Sequence, residues 1–214
     1  LLEQDGVPFH YQTAATELLQ DEQRRVVGVR ALNDHGDVIV HAKAVIMACG
    51  GFEGNPEMRA RYLGPRWDTV KMRGVPYNTG DGLRMALEIG AMPHGAWSSC
   101  HASPNDLNIP SYGLPSLRRS GRLGRRERYS YPYSIMVNIH GKRFVDEGWE
   151  KRGLTYHDMG RHILQQPMGT AFQIFDAKAR RMDLIDGYDT ATGAKAPTLQ
   201  GLAEQLGIDP QGLA

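Results

Sequence analysis

The sequence has little of several features that would place it in a specialised class. Among 214 residues it has only two cysteines, Cys49 and Cys100, which are too few for a disulfide framework. Its eight histidines are scattered, without the C-x-x-C or H-x-x-x-H spacing of a structural zinc site. We therefore predict no bound metal and a reduced, cytoplasmic protein.

Long apolar runs and an excess of charge of one sign are also missing. The run Val45–Cys49 is far too short to span a bilayer, and the formal net charge is +1. A chain this close to neutrality has no bulk attraction for a polyanion. Its hydrophobic fraction of 41% and charged fraction of 23% are ordinary for a globular protein, and the length suits one or two compact domains.

The most informative stretch extends from Val45 to Gly90. The apolar run Val45–Cys49 predicts one buried strand. It ends at Gly50 and Gly51, where missing side chains allow a flat ligand to approach the backbone. The motif NTGDG over 78–82 then predicts a helix start capped by Asp81, with N–H groups free to bind an anion, and Gly90 ends that helix.

The remaining segments predict an α+β fold. Before Val45 we expect a small meander, with strands over Val7–Thr13, Val26–Ala31 and Val38–Val40 and a turn over Asn33–Asp37. After Ala91 a loop-rich entry leads to a second set of elements. These are strands over Tyr131–Asn138, Arg143–Val145 and Ala171–Asp176, and helices over Thr155–Gln165 and Thr198–Leu206, the last with Thr198 as N-cap and Gly207 as C-cap.

Sequence motifs in a fixed order resemble the succinate dehydrogenase/fumarate reductase flavoprotein family. They are ACGGF (48–52), NTGDGLRMALEIGA (78–91) and IMVNIHGKRFVDEG (135–148). RYSYPYSIMVN (128–138) and VDEGWEKRGLTYHDMG (145–160) are most similar to its tricarballylate dehydrogenase branch. The resemblance implies FAD as cofactor. It also implies that residues 1–92 are part of a Rossmann-like FAD-binding domain (meander, strand and helix) and that residues 93–214 are an α+β capping domain.

Two features of that family are missing from the sequence. The family begins with a strand, a G-x-G-x-x-G turn and a helix that hold the FAD pyrophosphate, and no such fingerprint occurs here. Its C-terminal substrate His and Arg would lie after the last residue, Ala214. We therefore expect an internal fragment. The alternative is a small complete protein without the dinucleotide-binding half.

The resemblance also implies cofactor-binding residues. They are Gly50, Gly51, Asp81 and Ala15, the last within TAATE (13–17), where the backbone of the family meets the adenine. Small residues around Ala15 are equally consistent with simple packing.

Catalytic candidates come from the same source. His101, in SSCHASP, matches a histidine that holds a substrate carboxylate, and the alternative is a solvated loop histidine. Arg152 follows the R-F-V-x-E turn, where the family has an arginine that transfers a proton. Lys151 is its rival, because Arg152 is one residue late compared with fumarate reductases. Glu147 is expected to hold Arg152 in a bidentate pair.

A run of arginines precedes these motifs. Such a run binds polyanions or faces solvent, and it lacks the interleaved aromatics of a nucleic-acid site. We expect one or two of its members to line a substrate funnel and the others to be solvated. The run comprises Arg118, Arg119, Arg122, Arg125, Arg126 and Arg128.

By resemblance, the function is FAD-dependent oxidation of a C–C bond next to carboxylates, of the tricarballylate to cis-aconitate type. The expected partners are a small polycarboxylate and a membrane or soluble electron-acceptor protein, without nucleic acid. One alternative is a flavoenzyme like fumarate reductase or ketosteroid dehydrogenase, the latter less suited to an arginine-rich approach. Another is a non-catalytic module that binds anions or RNA.

Overall fold

The computed structural model describes residues 4–109, 111, 127–182, 188 and 191–214. Its contacts divide the chain into two compact units. The first comprises residues 1–64 and 75–97, and the second comprises residues 65–74 and 98–214. The assignment of residues 1–92 to a cofactor domain and 93–214 to a capping domain stays a prediction.

A three-stranded antiparallel meander forms the first part of unit one. Its strands are β1 (Ala14–Gln20), β2 (Val26–Asn33) and β3 (Gly36–His41), in the order β1-β2-β3. The predicted strands over 26–31 and 38–40 are thereby confirmed. The strand expected over Val7–Thr13 is wrong, because the sheet begins at Ala14. Burial explains the difference, since Leu18 on β1 is buried whereas Val7 remains 44% exposed.

The segment Val45–Cys49 is not a strand. It is irregular, Ile46 is 92% exposed and Cys49 is exposed, so the predicted buried strand is wrong. A strand requires a neighbour for its N–H and C=O groups. In the described part of the chain, no segment forms backbone hydrogen bonds with residues 44–49.

Two helices complete unit one. The first, α1 (Pro56–Leu63), was not predicted. Asn55 caps it by accepting the N–H of Met58 at 3.1 Å. The second, α2 (Asp81–Glu88), confirms the predicted helix and packs on β1, where Met85 and Leu18 are both buried. Its cap is Gly80, with φ of +84° and no side-chain hydrogen bond. The expected capping by Asp81 is therefore wrong.

Unit two is built around a short two-stranded antiparallel sheet. Its strands are β4 (Ile135–Val137) and β5 (Phe172–Ile174). Successive residues of β4 contribute to two apolar clusters: Met136 packs with Tyr131 and Met159, and Val137 packs with Ile174 and the C-terminal helices. Among its described residues, the helices of this unit are α3 (Arg152–Leu164), α4 (Ala177–Arg181), α5 (Leu199–Leu206) and α6 (Pro210–Leu213).

Four of the five predicted elements of unit two exist, with different ends. The strand expected over Arg143–Val145 is wrong, because only Arg143 pairs with Val137, in an isolated bridge. Strand β4 begins only at Ile135, because Pro132 lies in a 3-10 turn over Tyr131–Tyr133. Helix α3 begins at Arg152 rather than Thr155. Helix α5 has both predicted caps: the Thr198 hydroxyl accepts the N–H of Gly201 at 3.1 Å, and Gly207 has φ of +69°. Within the described ranges, no helix has the length and apolar character needed to cross a membrane.

Candidate functional site

The predicted cofactor glycines lie against the start of α2. Gly50 has φ of +74°, and a Cβ there would be 2.7 Å from Oδ1 of Asn78. The N–H of Gly80 donates to the carbonyl of Gly51 at 3.0 Å. Because Gly50 has a left-handed backbone and no room for a side chain, the sequence motifs ACGGF and NTGDG require glycine where they meet. The two motifs therefore meet in the fold, and cofactor contact at Gly50 and Gly51 stays a prediction.

Asp81 occupies the first turn of α2, where the two motifs meet. Its exposed carboxylate accepts the hydroxyl of Thr79. Among the described residues, no hydrogen bond uses the N–H groups of residues 81–83. A carboxylate here is stabilised by the helix dipole and repels a second anion. The free N–H donors of residues 81–83, next to the acceptor carboxylate of Asp81, therefore suit sugar-like hydroxyl groups better than a phosphate.

Ala15 lies on β1, opposite Ala31 of β2, and is exposed. The adjacent carbonyl of Thr16 accepts Nη2 of Arg84 at 3.1 Å, which links β1 to α2. The structure therefore places Ala15 and Asp81 on neighbouring elements of unit one.

In unit two, His101 lies in a loop that is fixed to α3. The N–H of Ala102 donates to the carbonyl of His157 at 2.6 Å, and the N–H of Gly160 donates back to Ala102 at 2.8 Å. A Cβ on Gly160 would lie 2.7 Å from the carbonyl atoms of Ala102. Glycine at this position therefore allows the loop to approach the helix.

Two aromatic rings lie beside His101, which remains exposed. Its ring meets Tyr156 edge to face at 5.0 Å and lies 6.0 Å from His157. Tyr129 meets the same Tyr156 at 5.2 Å. Partial burial lowers the pKa of His101, and the charges of Arg73 and His157 lower it further. His101 is therefore a neutral hydrogen-bonding imidazole near neutral pH.

Arg73 was not identified from the sequence. Its Nη1 donates to the hydroxyl of Tyr129 at 2.7 Å and lies 3.4 Å from Oε1 of Glu127. It belongs to the segment 65–74, which unit two holds through Arg66 and Lys71: Arg66 donates to the carbonyl of Gln166 at 2.9 Å and Lys71 to that of Ile109 at 2.8 Å. No motif marks Arg73, because only folding brings it near Tyr129.

Arg152 is the first residue of α3 and is exposed. In the described part of the chain it has no hydrogen-bond or ion-pair partner. Burial raises the pKa of Tyr131, and the hydrogen bond with Thr155 and the charge of Arg152 oppose that rise. The charge of Arg152 is therefore close enough to influence the ionisation of Tyr131. Lys151, its rival, precedes the helix and is also exposed.

Glu147 does not pair with Arg152. It is 2% exposed, and its carboxylate accepts the N–H of Met136 and, at 2.9 Å, Nε of Arg143. The expected bidentate pair with Arg152 is therefore wrong, because Arg143, in the same turn, occupies the carboxylate. In this position Glu147 fixes the start of β4 to the turn that follows it.

Arg128 and Asp106 form a buried ion pair. Burial alone would raise the pKa of Asp106, but hydrogen bonds from Thr192, Arg128 and Asn108 together hold it below its ordinary value. Arg128 also lies over the ring of Tyr188, 4.9 Å from its centroid. The other arginines of the basic run, and thus most of the expected substrate funnel, lie outside the described residues: Arg118, Arg119, Arg122, Arg125 and Arg126.

Tyr188 links this pair to the neighbouring strand. Its hydroxyl accepts the N–H of Ser130 at 3.1 Å and donates to Gln173 at 2.6 Å. Burial raises the pKa of Tyr188 to about 12, so it stays protonated. Since Ser130 lies between Tyr129 and Tyr131, this network fixes the backbone that carries these two tyrosines.

The chain has the fold of a flavoprotein class. The whole chain, residues 1–214, matches the family described as FAD binding domain. The chain belongs to this family, whose cofactor is FAD. Its relatives include ketosteroid dehydrogenases and flavoproteins of the fumarate reductase type.

Particular relatives show the range of the family. The chain is 30% identical over 97% of its length to 3-oxosteroid 1-dehydrogenase of Mycobacterium tuberculosis, covering 38% of that protein. It is 29% identical over 99% of its length to the probable fumarate reductase Ifc3 of Shewanella frigidimarina, covering 33% of it. An open flavocytochrome c3 fumarate reductase superposes with a TM-score of 0.65 at 27% identity, matching 99% of this chain and 35% of that one.

The chain therefore spans about a third of the length of these relatives. The relatives support the family and its cofactor, whereas they differ in the compounds that their names indicate.

Proposed function

We propose that this chain supplies cofactor and substrate residues to an FAD-dependent dehydrogenase that oxidises a C–C bond next to a carboxylate, with tricarballylate to cis-aconitate as the leading reaction. The observation that carries the proposal is the cluster in unit two. There, His101, Tyr129 and Arg73 lie together, on the unit that also carries Arg152. Cations and phenol or imidazole donors are the groups that hold carboxylates.

The proposed cofactor contacts lie in unit one. Gly50 and Gly51 bring the backbone close to the start of α2, and the exposed Asp81 offers an acceptor for hydroxyl groups. We propose these residues and Ala15 as FAD contacts. When bound, FAD supplies the hydride acceptor that no side chain can provide.

The proton that leaves the neighbouring carbon needs an acceptor from the protein. We propose Arg152 for this role, by its resemblance to the family arginine. Its unpaired and exposed guanidinium at the start of α3 is consistent with contact to a substrate. Arginine is ordinarily charged, so Lys151, which loses its proton more easily when desolvated, is the rival.

A ketosteroid-type substrate is the second candidate, and the identity to 3-oxosteroid 1-dehydrogenase favours it. A neutral sterol gains nothing from the charges of Arg73 and Arg152, whereas a carboxylate does. An electron-acceptor protein, soluble or membrane-bound, is the proposed partner that reoxidises the flavin, and the cytoplasm is the proposed location.

The test uses the natural protein that contains this chain, purified with FAD. We expect tricarballylate or another polycarboxylate to bleach the flavin without oxygen, and a 3-ketosteroid to leave it oxidised. Bleaching by the steroid alone would replace the proposal with the second candidate. R152Q should abolish bleaching while FAD stays bound, and the adjacent variant K151Q should lose much less. Equal, mild losses would place the proton acceptor elsewhere.

A further inference from the structure

Arg73 has the geometry of a ligand-binding arginine rather than of a purely structural one. Only its Nη1 is used, for the Tyr129 hydroxyl at 2.7 Å and for Glu127 at 3.4 Å. Within the described ranges, Nε and Nη2 have no partner. The side chain is 43% exposed, so these donors can reach a ligand in solution.

The groups around Arg73 determine the position of its free Nε and Nη2 donors. Tyr129, which accepts from Arg73, packs edge to face on Tyr156, and the same Tyr156 contacts His101. The Tyr129 hydroxyl therefore holds the guanidinium near the rings of Tyr156 and His101 without adding a charge. Glu127 pairs with the same Nη1 at 3.4 Å and leaves Nε and Nη2 available.

His101 is the weaker source of positive charge in this cluster. Partial burial lowers its pKa, and the charges of Arg73 and His157 lower it further. An anion in this cluster thus meets a neutral imidazole donor and one fixed guanidinium. A guanidinium with free Nε and Nη2 presents the fork that matches a carboxylate.

We propose that Arg73 is the fixed cation that binds a substrate carboxylate through Nε and Nη2, oriented by Tyr129. The inference rests on the proposed function and deepens it by naming the residue that selects carboxylates over neutral ketones. Arg73 acts in binding, and the chemical step belongs to other residues.

The test measures binding and turnover with the natural FAD-loaded protein. Citrate, a tricarboxylate that cannot undergo the dehydrogenation, is titrated by calorimetry, and tricarballylate turnover gives KM and kcat separately. For R73Q we expect the citrate Kd and the tricarballylate KM to rise roughly 10- to 100-fold, because a hydrogen-bonded charge is lost. The kcat should stay within about twofold, because the lost interaction stabilises the bound substrate and the transition state equally.

Further variants separate binding from folding. R73K keeps the charge without the fork and should fall between wild type and R73Q. Y129F removes the orienting hydroxyl and should weaken citrate binding less than R73Q. R66Q is the control for displacement: it removes another arginine of segment 65–74, one that holds the carbonyl of Gln166, and it should raise the citrate Kd far less than R73Q.

The outcomes distinguish this inference from the proposed function. If the wild type neither binds citrate nor is reduced by any carboxylate, the proposed function is wrong. If the wild type binds citrate and R73Q binds it equally well, Arg73 is not the carboxylate ligand. If R66Q weakens binding as much as R73Q, the effect comes from displacement of segment 65–74, and the inference also fails.

Discussion

Arg128 and Asp106 form an ion pair, with 2.9 Å between Nη2 and Oδ2, in which only 8% and 6% of the two side chains are exposed. Both oxygens of Asp106 also accept from Thr192, one from its N–H at 2.9 Å and one from its hydroxyl at 2.8 Å. The pair therefore ties residues 106, 128 and 192 together within unit two. Removing one partner would leave the other charge buried and unpaired.

D106N is expected to lower the free energy of unfolding by about 3–5 kcal/mol, the usual cost of breaking a buried pair. Urea unfolding followed by circular dichroism measures this loss. The matched control is E17Q, which breaks the exposed 2.8 Å pair of Glu17 with Arg30 and should cost less than about 1 kcal/mol. Equal losses in the two variants would show that Asp106 is not a buried anchor.

Acid should destabilise the folded state by protonating the carboxyl group of Asp106. The pKa of Asp106 is lower in the folded state than its ordinary 3.8. Its contribution to stability is therefore fully present above the unfolded value and is lost as pH falls through the folded pKa. The stability difference between wild type and D106N should shrink over that pH window, measured by urea unfolding at successive pH values. A difference that stays constant down to the lowest pH would contradict the assignment.

His101 should titrate below its ordinary pKa of 6.5, with partial burial as the largest cause and the charges of Arg73 and His157 as further causes. An unfolded chain then takes up a proton near 6.5 before the folded one does, so stability falls as pH falls below that value. In R73Q the pKa of His101 should rise. NMR titration of the imidazole signals, assigned with H101N, checks both statements. An unchanged pKa of His101 in R73Q would show that the charge of Arg73 does not act on His101.

Two glycines of α3 give a matched pair of variants. A Cβ on Gly160 would lie 2.7 Å from the backbone of Ala102, whereas Gly153 has nothing within 4 Å. G160A should lower the free energy of unfolding by about 1–3 kcal/mol, as overpacking does, and should displace the His101 loop. G153A should raise it by about 0.5–1 kcal/mol, because alanine favours a helix. Thermal unfolding measures both, and equal shifts would exclude the close approach at Gly160.

The elements that could be predicted are those with local signals. Strands β2 and β3 are joined by a tight turn at Asn33 and Gly36, and α5 has a threonine cap at one end and a left-handed Gly207 at the other. These signals act over a few residues. They are therefore visible in the sequence without knowledge of the remaining fold.

The wrong predictions depend on partners distant in sequence. Val45–Cys49 has strand composition, but strand formation depends on a neighbour that composition does not reveal. Glu147 has two arginines nearby in the sequence, Arg143 and Arg152. Only the folded turn brings Arg143, rather than Arg152, to its carboxylate. Arg73 approaches Tyr129 through the fold, and no spacing rule in the sequence connects them.

The exposed segment around Ile46 has a consequence for handling the isolated chain. Residues 44–49 read AVIMAC, without charge or proline, and their backbone groups are unpaired in the described structure. Such hexapeptides are the segments that pair between molecules and start aggregation. Loss of soluble material during concentration should therefore begin at this segment, and a charged residue in place of Ile46 should slow it.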